Sequence, residues 1–243
     1  MYSKADTHMH TTCSDGLMTP EETIDYIVEH TDLRVVAVTD HDTAEGGLIA
    51  HDYAQRYAGQ LDVIVGQEVT TLEGDVVGLF VNRTLPIYDT ALEAIGAIHA
   101  QGGLAVAVHP FSRIVSGGNM HGVTTKIFHL PFDAMEARNG FPTNVLVHSL
   151  SSWLNRKKGQ NLPELGGSDS HVSYTIGHTF SWFPGQTASD FRQAVLEGTV
   201  RAGGICWSPM AVARAAVRVI KNGGIPKYDN AIEPDRDLVT QRD

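Results

Sequence analysis

Short apolar runs rich in β-branched residues alternate along the chain with segments whose apolar residues recur at helical spacing. The apolar runs predict strands at residues 35–39, 63–68, 76–82, 104–109, 134–138 and 180–183. The segments between them predict helices close to residues 47–57, 90–101 and 144–158. This alternation favours an α/β protein with a parallel sheet over an antiparallel sandwich. Periodicity alone leaves open whether the sheet is a barrel or an open wound sheet.

Further helix starts have specific capping signals. Thr19 with Glu22, and Thr187 with Asp190, have the spacing of an N-cap and the acidic residue of a capping box. The first pair predicts a helix to about residue 30, and the second a helix towards residue 197. Pro209 predicts the start of a last helix that ends near residue 221, after which the composition becomes polar and irregular.

The composition is that of an acidic globular protein with many histidines. Hydrophobic residues make up 42% and charged residues 19% of the 243 residues, which is ordinary for a folded domain. The net charge of −10 offers no basic surface, so long nucleic acid is not expected as a partner. The chain has no apolar run that would span a bilayer, no signal-peptide core at its start and only two cysteines, so we expect a cytoplasmic protein without a membrane partner.

Histidine and carboxylate residues occur where predicted strands end. His8 and His10 are two residues apart, and alternate residues of a strand project to the same side, so both can approach one ion. Asp15 follows in the next loop. Taken alone, this pattern is weak evidence, because two surface histidines also produce it.

Four more chain segments carry the same residue types at strand ends. They are Asp40, His41 and Asp42 after strand 35–39, Glu68 at the end of 63–68, His109 at the end of 104–109, and Asp169 with His171 after two glycines. Strand ends of α/β folds share one rim, so these side chains are expected to converge. They exceed the ligands of one ion, which predicts two or three divalent ions of manganese, iron or zinc. Such a centre suits activation of water and binding of ester oxygens.

Five motifs, in this order, resemble the PHP (polymerase and histidinol phosphatase) family. They are DTHMHTTCSDG at 6–16, TDHD at 39–42, GQE at 66–68, HP at 109–110 and GSDSH at 167–171. The resemblance covers about residues 5 to 200. It implies a distorted (β/α)7 TIM-like barrel with the metal site at the C-terminal rim of the strands. It also implies a catalytic domain over residues 1–205, followed by a C-terminal helix and tail over 206–243.

The resemblance further implies three ligand sets. One metal would be held by His8, His10, Glu68 and Asp169, a second by Glu68 and His109, and a third by Asp15, His41 and His171. Many family members carry a His-x-x-Gly pattern where this chain reads Asp75-Val76-Val77-Gly78. Asp75 is therefore a candidate ligand of the second metal, and the alternative is a second site that is weak or empty.

The activity implied by the resemblance is that of a metal-dependent phosphoesterase, a hydrolase that uses a metal-activated water. The candidate catalytic residues are Asp40, as an acidic residue that orients His41 or its surroundings, and Arg113 and His178, which would contact phosphate. Arg113, Asn139 and His178 are the candidate substrate-binding residues, and arginine suits bidentate phosphate recognition. The expected partner is a small phosphorylated molecule, with nucleotides among the candidates. The sequence does not define the substrate, the metals or the oligomeric state.

Three alternatives remain open. Histidinol phosphate phosphatase is disfavoured by Asp75 and by Asp15, where members with that activity often carry histidine. A nuclease acting on oligonucleotide ends is disfavoured by the net charge of −10, because affinity for long nucleic acid depends on neutralising many phosphates. The alternative from another class is a non-catalytic metal-binding regulatory module, which the nearly complete ligand set disfavours.

Overall fold

The computed structural model describes residues 1–112, 122–158 and 160–221, and within these a nine-stranded sheet forms the frame of the molecule. The strands are β1 (Tyr2–Asp6), β2 (Leu33–Val38), β3 (Asp62–Val69), β4 (Val76–Leu79), β5 (Leu104–Ala107), β6 (Ala134–Asn139), β7 (Glu164–Gly167), β8 (Thr179–Pro184) and β9 (Arg201–Gly204). Their order across the sheet is β7-β6-β5-β4-β3-β2-β1-β8-β9. All six strands predicted from the apolar runs are present, with ends shifted by up to three residues.

Strand direction differs from the expected parallel sheet at two strands, β4 and β8. The strands β1, β2 and β3 pair in parallel, and so do β5, β6 and β7. By contrast, β4 runs antiparallel between β3 and β5, and β8 runs antiparallel beside β1 and β9. The connection between β3 and β4, residues 70–75, is too short for the crossover helix that a parallel pair requires, so the chain reverses there.

The sheet curls into a nearly closed barrel, and segments beyond the strand ends complete its C-terminal rim. The backbone N–H of His10, past the end of β1, donates to the carbonyl of Ser170 past the end of β7, at 2.9 Å. On the other side, the N–H of Thr39 donates to the carbonyl of Met9 at 2.9 Å. The ends of β1, β2 and β7 therefore meet at one rim, and the predicted barrel is confirmed.

Helices pack outside the barrel and carry the predicted capping signals. They are α1 (Pro20–His30), α2 (Glu45–Ala54), α3 (Ala91–Ala100), α4 (His148–Lys158), α5 (Ala188–Leu196) and α6 (Pro209–Lys221). The capping boxes of Thr19 with Glu22 and of Thr187 with Asp190 are both formed. Among the described residues, no helix has the length and apolar character needed to cross a membrane.

The N-terminal end of the barrel is closed by apolar packing under α5. Phe191 of α5 lies in one buried cluster with inward residues of the strands and contacts Phe183 edge to face, with ring centroids 5.4 Å apart. Arg192 of the same helix donates to the carbonyl of Gly102, just before β5. Because this end is filled by apolar side chains, the polar residues of the strand ends are gathered at the opposite rim.

The C-terminal segment is attached to that rim through Trp207, which is buried. The indole Nε1 donates to the carbonyl of Ser168 at 2.9 Å, and the backbone N–H donates to the carbonyl of Gly140 at 2.8 Å. Its ring packs on Phe141, with centroids 5.3 Å apart. The division expected between residues 205 and 206 stays a prediction, and the predicted tail from residue 222 lies outside the described residues.

Candidate metal centre

The nine predicted metal ligands lie together at the C-terminal rim of the barrel. They form four overlapping groups: His8, His10 and Glu68; His8, His109 and Asp169; Glu68, Asp75 and His109; and His10, Asp15, His41 and His171. Within each group the ligand atoms lie within 4.8 Å of one another. Donors bound to one ion at about 2.0–2.2 Å lie at most roughly 4.4 Å apart, and several nitrogen–oxygen pairs here, at 3.0–3.2 Å, lie well inside that limit.

Glu68, at the end of β3, is the centre of the cluster. Its Oε2 lies 3.1 Å from His8 Nε2, 3.5 Å from His10 Nε2 and 3.4 Å from His41 Nδ1, and its Oε1 lies 3.0 Å from His109 Nε2. Although burial opposes ionisation, the charges of His41 and His8 hold the pKa of Glu68 well below its usual value. A carboxylate with both oxygens facing imidazoles has the arrangement of a ligand that bridges two ions.

Asp169 reaches the same cluster from the loop after β7. Its Oδ1 lies 3.2 Å from His10 Nε2 and 3.7 Å from His8 Nε2. Its backbone is in the left-handed region, with φ of 52°, and Asp42 after β2 and His109 after β5 share this conformation, with φ of 50° and 29°. Such conformations cost energy in non-glycine residues and are common at functional sites.

His10 gives the clearest indication that a cation fits the cluster. The residue is only 3% exposed, and neither ring nitrogen makes a well-aligned hydrogen bond with another described residue. Oxygens are nevertheless close, since Asp169 Oδ1 lies 3.2 Å from Nε2 and Asp15 Oδ1 lies 3.7 Å from Nδ1. Buried polar atoms are nearly always paired in proteins. Nitrogens that face carboxylates without bonding to them are consistent with ligands arranged around an ion.

The group of Asp15, His41 and His171 forms the outer side of the cluster. Their side chains are 17%, 23% and 25% exposed, whereas the Glu68 side chain is 1% exposed. His171 Nε2 lies 3.2 Å from Asp15 Oδ2, and His41 Nε2 lies 3.8 Å from the same oxygen. Both rings stack on His10, with centroids 4.3 and 4.5 Å away. This side gives the cluster its contact with solvent.

Asp75, the departure from the family pattern, lies just before β4 beside Glu68 and His109. The residue is 9% exposed. Burial, together with the negative charge of Glu68, raises the pKa of Asp75 to about 7. Two close carboxylates in a buried position repel each other, and a cation between them relieves that repulsion. The position of Asp75 therefore suits a ligand, and its binding of metal stays a prediction.

Asp40 is buried next to the cluster and holds the loop that carries Asp15. Its Oδ1 accepts from the Thr11 N–H at 2.7 Å and from Ser14 Oγ at 2.6 Å, and its Oδ2 accepts from Thr11 Oγ1 at 2.7 Å. Gly46 of α2 packs so closely that an added Cβ would lie 1.9 Å from Asp40 Oδ2. The hydrogen bonds of Asp40 thus fix this loop, which is part of the surroundings of His41.

The predicted substrate contacts have three different placements. Arg113 lies outside the described residues. Nδ1 of His178, just before β8, is buried and has no hydrogen-bond partner among the described residues, and burial lowers the pKa of His178. Asn139 is 2% exposed, and its amide donates to Glu136 and Asp169. Asn139 therefore has protein partners in the site, and substrate contact by His178 and Arg113 stays a prediction.

Two further buried acids, neither of them a predicted ligand, lie beside the ligands. Oε1 of Glu136, in β6, lies 3.2 Å from Nδ1 of His8. Asp6, at the end of β1, accepts from the N–H groups of Ser168 and Gly177 at 2.9 and 2.8 Å. Burial raises the pKa of Asp6 to about 6. For Glu136 the signal in the sequence is an acidic residue inside the predicted strand 134–138, because burying such a group requires polar partners. The strand of Asp6, with the sequence YSKAD, has no such apolar run.

Comparison with known proteins identifies the family of this chain. Residues 157–200 match the family model described as PHP-associated. Uncharacterized protein MJ1587 of Methanocaldococcus jannaschii is 31% identical over 159 residues, which are 61% of this chain and 88% of that protein. The 5'-3' exoribonuclease Rnm of Escherichia coli is 39% identical over 88 residues, which are 34% of this chain and 29% of Rnm. The chain belongs to the PHP family, as its motifs predicted.

Solved structures share the barrel. A two-domain protein from Bacteroides vulgatus, which contains a predicted PHP-like metal-dependent phosphoesterase, superposes with a TM-score of 0.66 at 17% identity, over 84% of this chain and 65% of that one. The lesion-specific endonuclease PfuEndoQ from Pyrococcus furiosus superposes with a TM-score of 0.59 at 14% identity, over 93% of this chain and 68% of that one. This chain therefore spans about two thirds of each of these proteins and less than a third of Rnm.

The expectation of no long nucleic acid as a partner needs correction. Endonuclease Q, which superposes with a TM-score of 0.57, has been solved with a 27-mer duplex substrate that carries an abasic lesion at its active site. The fold thus accommodates long nucleic acid. The net charge of −10 is a sum over the whole chain, whereas nucleic-acid affinity depends on the local contacts with phosphates.

Proposed function

We propose that this protein is a metal-dependent phosphoesterase that hydrolyses a phosphate ester of a nucleotide or a nucleic acid. The observation that carries the proposal is the ring of imidazoles and carboxylates around Glu68, in which the buried nitrogens of His10 face oxygens without aligned hydrogen bonds. A nucleic-acid substrate is supported by two similar proteins, since Rnm is an exoribonuclease and endonuclease Q has been solved with a duplex substrate.

Three ligand sets would hold the ions. The inner sets are His8, His10, Glu68 and Asp169, and Glu68, Asp75 and His109; the outer set is Asp15, His41 and His171. Divalent ions bound there would polarise the phosphoryl oxygens and lower the pKa of a water, which is the chemistry an ester hydrolase requires. Mixed imidazole and carboxylate donors suit manganese, iron or zinc.

The other residues of the site would orient the ligands and the substrate. Asp40 holds the loop that carries Asp15, which keeps the outer carboxylate in place. Burial lowers the pKa of His178, which favours the neutral ring, and that ring would donate its one N–H to a phosphate oxygen. Arg113 would add the paired N–H donors that phosphate accepts. The ester would approach from the outer, partly exposed side of the cluster, since the inner ligands are buried.

The test compares ligand variants with matched surface variants. His8→Ala and Asp169→Asn remove inner ligands, whereas His51→Ala and Asp52→Asn make the same changes on side chains that are 47% and 90% exposed. Hydrolysis is measured as phosphate release from mononucleotides and 5'-phosphorylated oligonucleotides, and as strand cleavage of the same oligonucleotides and of a DNA duplex, with manganese and with a chelator. We expect chelator-sensitive hydrolysis of at least one of these esters by the wild type and both surface variants, and a loss of at least about a hundredfold in both ligand variants.

The outcomes separate the site from the substrate. Equal activity in His8→Ala, Asp169→Asn and the wild type would show that the cluster does not carry the reaction. Release from mononucleotides alone would restrict the proposal to nucleotides, and release from oligonucleotides would extend it to nucleic-acid ends. A wild type that binds metal yet hydrolyses none of these esters would contradict the phosphoesterase proposal.

A further inference from the structure

Glu136 lies in β6, and both of its carboxylate oxygens contact residues at the ends of strands. Oε1 lies 3.2 Å from His8 Nδ1. Oε2 accepts from the backbone N–H of His109 at 2.9 Å and from Asn139 Nδ2 at 2.9 Å. The residue is 3% exposed and belongs to none of the ligand groups found in the described part of the chain. Its oxygens therefore face groups that belong to the ligand-bearing segments rather than a shared ion position.

Asn139, three residues further along, uses every hydrogen-bonding group of its side chain. Nδ2 donates to Glu136 Oε2 and to Asp169 Oδ2, at 2.9 and 3.1 Å. Oδ1 accepts from the Phe141 N–H and from Asn144 Nδ2, both at 2.8 Å. A side-chain amide has two donor and two acceptor positions, and all of them are occupied here. Its orientation is therefore fixed, and Oδ2 of Asp169 is held away from the ligand cluster.

We infer that Glu136 and Asn139 are positioning residues that together set the orientation of three metal ligands, His8, His109 and Asp169. The inference rests on the proposed metal site. With an ion bound, the contact with Glu136 would keep the His8 proton on Nδ1 and leave the Nε2 lone pair for the ion. Asn139 binds Oδ2 of Asp169, so that Oδ1 faces the histidines. One buried pair thus couples ligands from three segments of the barrel.

The packing around this pair has no spare room. A Cβ added to Gly167 of β7 would lie 2.5 Å from Glu136 Oε1 and 2.5 Å from the Cβ of His8. The backbone of β7 packs closely against both residues. This packing, together with the hydrogen bond, limits the positions that Glu136 and His8 can adopt. A carboxylate this confined is suited to holding a ring in one orientation and poorly suited to moving during a reaction.

Glu136→Gln is the informative variant because it keeps the shape of the side chain and one acceptor oxygen. Its amide NH2 must face at least one of the donors that Glu136 now satisfies, which are His8 Nδ1–H, His109 N–H and Asn139 Nδ2–H. Asn139→Ala is the second variant, since it releases Asp169 and leaves the contact between Glu136 and His8 in place. Glu29→Gln, on a side chain that is 69% exposed, is the matched control.

The experiment measures manganese affinity by calorimetry, with circular dichroism to establish folding. The His8 tautomer is read from imidazole 15N shifts of the zinc-loaded protein, because without metal, although burial opposes it, the charges of Asp169 and Glu68 raise the pKa of His8 well above its usual value. We expect Glu136→Gln to fold, to bind one ion about 10- to 100-fold more weakly and to lose the single Nδ1–H tautomer. Asn139→Ala should weaken binding while the His8 tautomer stays as in the wild type. Glu29→Gln should match the wild type in both measurements.

Wild-type manganese affinity and an unchanged His8 tautomer in folded Glu136→Gln would overturn the inference, and loss of hydrolysis in that variant would then place Glu136 in the reaction itself. If Glu136→Gln does not fold, Asn139→Ala decides, because unchanged metal affinity in that variant also overturns the inference. A wild type that binds no metal would overturn the proposed function together with the inference. A wild type that binds metal, with variants that bind it equally well, overturns the inference alone.

Discussion

In two histidines at the rim, the two ring nitrogens contact different groups. His8 has Nδ1 against Glu136 and Nε2 against Glu68. His171 has Nδ1 against the carbonyl of Asp169 and Nε2 against Asp15. In metal sites one ring nitrogen typically donates to a carboxylate or a carbonyl while the other binds the ion. At the scale of single residues, the hydrogen bonds therefore already match those of ligands.

Binding of metal should release protons from this site. Although burial opposes it, the hydrogen bond to Glu68 raises the pKa of His109 to about 9, and the charge of Asp15 likewise raises the pKa of His171 to about 9. In the metal-free protein at neutral pH, both rings therefore carry protons on both nitrogens. Each ring must lose one of these two protons before a nitrogen can bind an ion. Apparent manganese affinity should rise from pH 7 towards pH 9, because proton competition weakens as the pH approaches these pKa values.

Calorimetry in buffers of different ionisation enthalpy counts the released protons. The His51→Ala variant, which changes an exposed histidine, should release as many protons as the wild type. Affinity that does not change with pH, with no proton release, would contradict the protonated state assigned to His109 and His171.

Gly167 is expected to be intolerant of even one added methyl group. In Gly167→Ala the new Cβ would lie 2.5 Å from both Glu136 and His8, which are themselves packed and hydrogen-bonded. Such overpacking typically costs about 1–3 kcal/mol of unfolding free energy. Gly96→Ala is the control, because Gly96 lies in α3 with no atom within 4 Å of the new Cβ. We expect that change to stabilise the protein by about 0.5–1 kcal/mol.

Denaturant unfolding with a chelator present measures both glycine variants. A Gly167→Ala protein as stable as the wild type would show that β7 does not press on Glu136 and His8.

Among the elements, helix starts were the easiest to predict and strand direction the hardest. The capping boxes of Thr19 and Thr187 depend on residues three apart, so the sequence contains all the information needed. The apolar run of β4 predicted a strand, but a run of valines does not specify whether its neighbours are parallel. Strand β7, Glu164–Gly167, has two glycines and no apolar alternation, so its pairing with β6 decides its conformation.

The ligands at the rim could also be predicted from the positions of the strands, because each ligand lies at or after a strand end in the sequence. The ligand positions needed only the rule that strand ends share a rim. Glu136 and Asn139 were harder, since their partners His8 and Asp169 are distant in sequence and the hydrogen bonds between them are set by the closure of the barrel.

Trp207 connects α6 to the loop after β7 that carries Asp169, and this connection should contribute to stability. Trp207→Phe removes the hydrogen bond from Nε1 to the carbonyl of Ser168 while keeping an aromatic ring on Phe141. Loss of one buried hydrogen bond should lower the unfolding free energy by about 0.5–1.5 kcal/mol. The control is Trp153→Phe in α4, where the residue is 49% exposed.

Thermal unfolding of the two tryptophan variants, followed by circular dichroism, checks this difference. Equal melting temperatures for Trp207→Phe and the wild type would show that the indole hydrogen bond contributes nothing measurable to the attachment of the C-terminal segment.

For the molecule as a whole, one end of the barrel is apolar and the other contains the cluster. Phe183 and Phe191 fill the N-terminal end, so the buried carboxylates and imidazoles are concentrated at the C-terminal rim. Burying several ionisable groups together is unfavourable unless they are paired or bind a cation. The whole fold should therefore be more stable with metal than without it.

Removal of metal is expected to lower the melting temperature. An ion that binds only the folded chain stabilises it by about 2.7 kcal/mol when the free ion concentration is a hundred times the dissociation constant. Thermal unfolding with manganese and with a chelator measures the effect. The Asp169→Asn variant should show a much smaller difference between the two conditions, while Asp52→Asn should behave as the wild type. An equal effect of manganese on Asp169→Asn and the wild type would place the stabilising ion elsewhere.

The central claim is that the imidazoles and carboxylates around Glu68 hold divalent ions. Anomalous diffraction from crystals of the manganese-loaded protein tests it most directly. We predict at least two anomalous peaks at the C-terminal rim, each about 2.0–2.3 Å from ligand atoms, with Glu68 shared between two of them. Loaded crystals with no anomalous peak within bonding distance of Glu68, His8 or Asp169 would contradict the account.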